Sequence, residues 1–300
     1  MTDAPTIQPL RLGLPKGRMH DGVIRLLADA GISVQKSSRG YRPKVSLNGF
    51  ETKILKPQNI IEMLHSGSRD LGFAGSDWVQ ELGYAGPDAH GLVEVLDTGL
   101  DRVRLVVAAP KEMLHEGQLT VPVGRPLRIA AEMPSLTSGW ISAQGLDATI
   151  VRTYGATEVF PPEDADCIVD IAASGDTLRA NGLQIFDTIM ESSTRLFANR
   201  AAYADPQKRA GIDQLAVLIR SVLEARRRVM LDLNVSRANL DRVVDLLPCM
   251  REPTVAELRG SDGFAVRAAV PRDELAELIP QLQAGGATDL VVSRPTQIVR

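Results

Sequence analysis

Cysteine is nearly missing from this sequence: 300 residues hold two, Cys167 and Cys249, far apart and each in an apolar setting. That scarcity argues against a disulfide framework and a thiolate zinc site, and it fits a reducing compartment. Histidine is as sparse. His20, His65, His90 and His115 are scattered with no HExxH pair among them, so a histidine-held metal is not expected. Neither sign of charge dominates, and a net charge of −3 gives no general attraction to nucleic acid or to an anionic membrane. No apolar run reaches the length of a membrane span, and residues 1–10 lack the basic cluster and apolar core of a signal peptide, so a cytoplasmic location is expected. What is present is ordinary for a globular chain: 44% hydrophobic and 24% charged residues, with length enough for two or three domains.

Short apolar runs alternate with amphipathic segments over the first two thirds of the chain, which predicts α/β lobes. Residues 11–14 read as a first strand, followed by Pro15-Lys16-Gly17-Arg18 and an amphipathic segment marked by Val23, Ile24, Leu26 and Leu27. Two cations around a glycine at a strand end can meet a polyphosphate, and the same residues also suit a solvated turn. Ser37-Ser38-Arg39 and residues 41–44 add a second basic cluster. A strand over 51–55 then leads to Lys56-Pro57, with proline placed as a first helical residue. Asp70-Leu71-Gly72-Phe73-Ala74-Gly75-Ser76-Asp77 repeats the scheme of short strand, small-residue loop and acidic helix start. Asp77 is expected as an N-cap, and Gly75 as a close ligand approach or simply a tight turn. Separate strands are expected over 93–96, 104–109, 185–189 and 195–198.

Residues 164–183 carry the strongest chemical signal. Ile168, Val169 and Ile171 suit a buried strand ending in Ala172-Ala173-Ser174-Gly175-Asp176-Thr177. That loop has little side-chain bulk, so its backbone N–H groups can close around an anion with the Ser174 and Thr177 hydroxyls added. Asp170 at the strand's carboxyl end can grip vicinal ribose hydroxyls or a magnesium-bound one. A plain strand-turn-helix connection would use the same residues. From Val229 the order reads strand, helix, strand, strand, helix, strand, that of a ferredoxin-like fold with no polar constellation suited to chemistry of its own.

Together these segments resemble the ATP phosphoribosyltransferase family in its long form with a C-terminal regulatory domain. The resemblance covers nearly the whole chain. It rests on Leu14-Pro15-Lys16-Gly17-Arg18, on the Asp70 to Asp77 stretch, and on Asp166-Cys167-Ile168-Val169-Asp170 through Ser174-Gly175-Asp176-Thr177-Leu178 to Asn181-Gly182-Leu183. Arg251-Glu252-Pro253-Thr254-Val255 and Gly286-Ala287-Thr288-Asp289 extend it into the last domain. The fold it implies is α/β, two periplasmic-binding-protein-like lobes with the active site in their cleft, plus a C-terminal ferredoxin-like α+β domain. The expected division is 1–119, 120–190, 191–228 (return strand and long helix) and 229–300. The implied reaction is displacement of pyrophosphate from phosphoribosyl pyrophosphate by N1 of ATP, the first step of histidine biosynthesis. Mg2+ would bridge the pyrophosphate oxygens, and the assembly would be a homo-oligomer, dimer and hexamer, inhibited by histidine.

The resemblance also assigns roles. Arg39 and Lys56 draw off pyrophosphate while Asp170 holds the ribose hydroxyls. The phosphoribosyl group falls to Asp170, Ala173, Ser174, Gly175, Asp176, Thr177 and Leu178, and ATP to Lys16, Gly17, Arg18, Gly75, Asp77 and Glu158. Asn234, Met250 and Thr254 would meet the effector. The metal ligands stay open. Four departures stand against this pattern. Asp176 puts an acid in the phosphate loop, Lys56 replaces an arginine often found there, Thr137-Ser138-Gly139-Trp140 lacks a basic pair, and Asn234 stands where some long forms have an aspartate. Asp176 and the missing basic pair are the main support for a second reading, a non-catalytic cytosolic ligand-binding or regulatory relative of the same fold.

Overall fold

The computed structural model of the chain describes residues 9–35, 40–86, 91–260 and 262–299. Two compact units form, residues 1–25 with 32–213 and residues 26–31 with 214–300. The first is built on a mixed sheet of eight strands: β1 (Leu10–Pro15), β2 (Phe50–Leu55), β3 (Leu71–Gly75), β4 (Val93–Pro110), β5 (Leu127–Ala131), β6 (Ala148–Arg152), β7 (Cys167–Ala172) and β8 (Leu183–Ala198). Their spatial order is β6-β5-β7-β4-β8-β3-β1-β2. β1 to β3 run parallel as the heart of one lobe, and β5 to β7 run parallel as the heart of the other. β4 and β8, antiparallel to their neighbours and to each other, pass through both.

Those two long strands correct the expected four short ones. The residues between the apolar runs are polar, which imitates a loop in the sequence, but in the sheet they satisfy one another. Ser193 Oγ donates to Asp97 Oδ1 at 2.7 Å, Thr194 Oγ1 donates to Asp101 Oδ2 at 2.8 Å, and Thr98 Oγ1 donates to the Thr194 carbonyl. Buried polar groups so paired cost little, and the ladder continues through them. β8 meets β4 with five register shifts, between Ile185/Asp187, Thr188/Met190, Ser192/Thr194, Thr194/Arg195 and Leu196/Phe197. β3 ends with Gly75 opposite Thr194, and β7 ends with Ala172 opposite Arg104. The carboxyl ends of the two parallel sets therefore face each other across the middle of the long pair.

Helices α1 (His20–Asp29), α2 (Pro57–His65), α3 (Ser76–Glu81), α4 (Pro134–Gln144) and α5 (Asp176–Ala180) follow strands of the sheet. Pro57 opens α2 as its fixed φ favours, and Ile60, Ile61 and Leu64 form the buried stripe against Ala74 and Phe197. In the second lobe alternate residues of β7 feed different cores. Cys167 and Val169 join Trp140 of α4, whereas Ile168 and Ala172 join Leu178 of α5.

One ion-pair cluster ties the first lobe together. Asp70, 1% exposed, takes Arg11 Nε at 2.9 Å on one carboxylate oxygen, and Arg11 Nη2 and Lys208 Nζ at 2.9 Å each on the other. Burial opposes the charge, but the hydrogen bonds from Arg11 and Lys208 outweigh it and bring the carboxyl down to about 2. Asp70→Ala would leave two cations without their buried partner, so a loss of about 3 kcal/mol or more in urea unfolding is expected. Because the folded value lies below the unfolded one, this contribution is present above about pH 4 and fades as the pH falls toward about 2.

Past α6 (Arg200–Ala204) and α7 (Pro206–Arg227) comes a second sheet of β9 (Arg228–Ser236), β10 (Thr254–Glu257), β11 (Gly263–Pro271) and β12 (Ala287–Ser293), in the order β10-β11-β9-β12 and antiparallel throughout. With α8 (Leu240–Asp245) and α9 (Leu275–Ala284) this is the ferredoxin-like arrangement. Leu231, Leu233, Val235 and Val266 pack against Val243 and Leu282 from the helices. The unit takes in the latter part of α7 as well, where the Ile298 N–H donates to the Ser221 carbonyl. No helix among the described residues is long and apolar enough to cross a membrane.

Candidate active site

Three strand ends build the first wall. Pro15 and Leu55 are opposite each other in register, which sets Lys16 and Lys56 side by side beyond β1 and β2. Gly17 has φ +82°, a conformation that disfavours any side chain there. Lys16 Nζ lies 5.6 Å from the centroid of the exposed Tyr41 ring, and both residues border a cavity of about 530 Å³ with Gly17, Pro43 and Ile54. Arg18 donates to the Asp101 carbonyl at 3.2 Å. Arg39 falls outside the described residues.

At the end of β3, Gly75 permits a close approach that no other residue would. A Cβ there would stand 2.0 Å from Asp77 Oδ1. Asp77 is not the N-cap that its position in the sequence suggests. Gly75 takes that place in extended conformation, and Asp77, within the first turn of α3 and 2% exposed, accepts the Ser192 hydroxyl at 2.9 Å. Burial holds the Asp77 carboxyl above its ordinary value, against the Ser192 hydrogen bond. Asp77 thus supports the wall from beneath.

The second wall belongs to β7 and α5. Among the described residues Asp170, half-buried, accepts only the Ile171 N–H, at 2.7 Å. Burial pushes its carboxyl up to about 6 against that bond, helped by the negative charges of Glu158 and Glu132. Ala173, Ser174 and Thr177 are exposed in the loop, Gly175 turns it at φ +79°, and Leu178 anchors α5 in the core. Asp176 points outward at 74% exposure. Its carboxylate takes the Ser174 hydroxyl and the Arg179 guanidinium, which together hold it below the usual carboxylate range. The acid that the sequence sets inside the phosphate loop is thereby paired and turned to solvent.

The walls meet at a cavity of about 460 Å³ bordered by Ala173 of the loop, by Ser192, and by Arg102, Arg104 and Arg195 of the long strands. Arg102, Arg104, Glu132 and Ser192 went unread as site residues. The one signal in the sequence was a pair of arginines two apart at the head of an apolar run, a spacing that puts both on one face of a strand. In the C-terminal unit Thr254 lies opposite Arg267, itself opposite Asp232, so Thr254 and Asn234 share the sheet face away from the helices. Asn234 Nδ2 donates to Asp289 Oδ2 at 3.0 Å, and the Met250 N–H donates to the Ala269 carbonyl.

Anion donors on two lobes, aimed at one another with a carboxylate between, suit an enzyme that holds two phosphorylated substrates and moves a group between them; by fold and site this is a group transferase. A family model described as ATP phosphoribosyltransferase matches residues 56–221, and the model of that family's C-terminal domain matches 225–295. The chain belongs to the ATP phosphoribosyltransferase family, in the long form. The ATP phosphoribosyltransferase of Desulforudis audaxviator is 38% identical over 288 residues, 94% of this chain and 96% of that one. That of Pelotomaculum thermopropionicum is 35% identical over 295 residues, covering 97% and 99%. Among solved structures, the ATP phosphoribosyl transferase (HisG:HisZ) complex from Thermotoga maritima is similar with a TM-score of 0.61 at 27% identity, over 72% of this chain and 98% of that chain.

Proposed function

We propose that the protein joins ATP to phosphoribosyl pyrophosphate in the cleft, N1 of the adenine displacing pyrophosphate at the anomeric carbon. The observation that carries this reading is Asp170. It is a half-buried carboxylate free of any cation among the described residues, on the strand that ends in the loop Ala173 to Thr177. It offers its oxygens to the ribose hydroxyls while the loop N–H groups, Ser174 and Thr177 hold the 5′-phosphate, with Gly175 and Leu178 shaping the turn. Positive charge grows on the ribose ring in the transition state, beside Asp170, Glu158 and Glu132, and negative charge grows on the pyrophosphate, which Lys56 and Arg39 are proposed to draw off. Lys16, Gly17 and Arg18 hold the ATP polyphosphate near Gly75. No covalent nucleophile is required.

Mg2+ belongs to this proposal. Among the described residues no group of three or more His, Cys, Asp or Glu side chains is arranged to hold a metal. The donors present fit an ion carried mainly by pyrophosphate oxygens with at most a carboxylate such as Asp170, and bound there it would neutralise leaving-group charge. The C-terminal unit is proposed to take histidine at Asn234, Met250 and Thr254 and so inhibit the enzyme. Asp289, fixed against Asn234, supplies the carboxylate that Asn234 itself lacks. A cytoplasmic homo-oligomer, dimer and hexamer, and the division at 119/120, 190/191 and 228/229 complete the proposal.

The experiment is direct. Pyrophosphate release should require ATP and phosphoribosyl pyrophosphate together and fall when histidine is added. Release without ATP, or binding of neither substrate, would refute the reading.

A further inference from the structure

The phosphoribosyl site is short of positive charge. Asp176 and Arg179 neutralise each other, and Asp170 stands among Glu158 and Glu132, so a phosphate dianion on the loop meets negative surroundings. A cation close by would offset that charge and strengthen the hold of the loop on such an anion.

The cavity beside the loop offers two. Asp170 is in register with Val106, and Ala172 with Arg104. Directly opposed residues share a face of the sheet, so Arg104 projects from the face that carries Asp170 and is covered by Leu178 of α5. Arg102 follows two residues away. Both arginines border the cavity with Ala173. The third arginine there is already engaged: Arg195 Nη1 lies 2.7 Å from Glu94, and its Nε lies 3.6 Å from Asp97. Among the described residues neither Arg102 nor Arg104 closes an ion pair, although Glu191 is in register with Arg104 and borders the same cavity.

We propose that Arg104, seconded by Arg102, binds the 5′-phosphate of the phosphoribosyl substrate. The assignment rests on the function proposed above and adds the cation that the loop lacks. A guanidinium fork can meet two phosphate oxygens at once, and Arg104, half-buried in a strand paired on both sides, is positioned with less loss of side-chain freedom than a loop cation.

The test uses the full chain with Arg104→Gln, Arg104→Lys and Arg102→Gln, reading ribose 5-phosphate binding and the KM of each substrate. Arg104→Gln should weaken ribose 5-phosphate and raise the KM for phosphoribosyl pyrophosphate by about 10- to 100-fold, with the KM for ATP within about twofold of wild type. Arg104→Lys should fall between, and Arg102→Gln should lose about threefold. Unchanged ribose 5-phosphate affinity, or a rise confined to the KM for ATP, overturns the assignment. Should Arg104→Gln not fold, Arg104→Lys decides: a loss of at least about threefold supports it and wild-type affinity overturns it. A wild-type chain that binds ribose 5-phosphate through Arg104 yet forms no product would refute the reaction and leave this assignment standing.

Discussion

Asp170→Asn is expected to lower kcat by about 100-fold or more while making the chain more stable above neutral pH. The amide keeps the shape but brings an N–H toward the ribose hydroxyls and removes the negative charge that faces the developing cation. The stability gain has a separate origin. Burial, with Glu158 and Glu132 nearby, raises the folded carboxyl to about 6, so the folded state holds this proton more tightly than the unfolded state does. Stability is therefore lost as the pH climbs from about 4 through about 6, by an amount on the order of 2 kcal/mol. Asparagine escapes that loss. Urea unfolding at about pH 4 and about pH 8 should show the variant's advantage mainly at the higher value. Equal differences at both would mean that Asp170 is not strained as an anion. In the wild type, kcat/KM for phosphoribosyl pyrophosphate should rise as the pH passes about 6, with the ionised form.

Lys56→Ala should cost about 100-fold in kcat and leave unfolding within about 0.5 kcal/mol of wild type. Lys56 occupies the N-cap position of α2 with φ −62° and ψ 145°, yet its side chain caps nothing and is exposed at a strand end. Its ammonium is therefore available to a leaving group whose charge is greatest in the transition state. Lys56→Arg should retain turnover or exceed it, because the guanidinium adds a second hydrogen bond to phosphate. A rise in KM with kcat untouched would restrict Lys56 to substrate binding, and no change in either would remove it from the site.

The lobes and the ferredoxin-like unit were legible because apolar periodicity and Gly or Pro punctuation are local properties. Pro57 at a helix start and the strand through Ile168 and Val169 are cases in point. The long strands were not, since Asp97, Thr98, Asp101 and Ser192 to Thr194 read as loop until their partners across the sheet are known. Asp77 looked like a cap because caps are defined by neighbours in sequence, whereas its partner Ser192 lies 115 residues away. Arg104 was hidden for a similar reason: the head of an apolar run carries no mark of the loop that register sets beside it. The orientation of Asp176 depends on side-chain pairings with Ser174 and Arg179 that composition could not choose over others.

The five register shifts where β8 meets β4 give the long pair a mechanical property. Ladder bonds are already interrupted at each shift, so flexing there breaks few new ones. A bend in the ribbon is therefore expected at these joints rather than between them. The part-buried Ser193–Asp97 and Thr194–Asp101 bonds lie beside the shifts at Ser192 to Arg195 and hold the two strands together there.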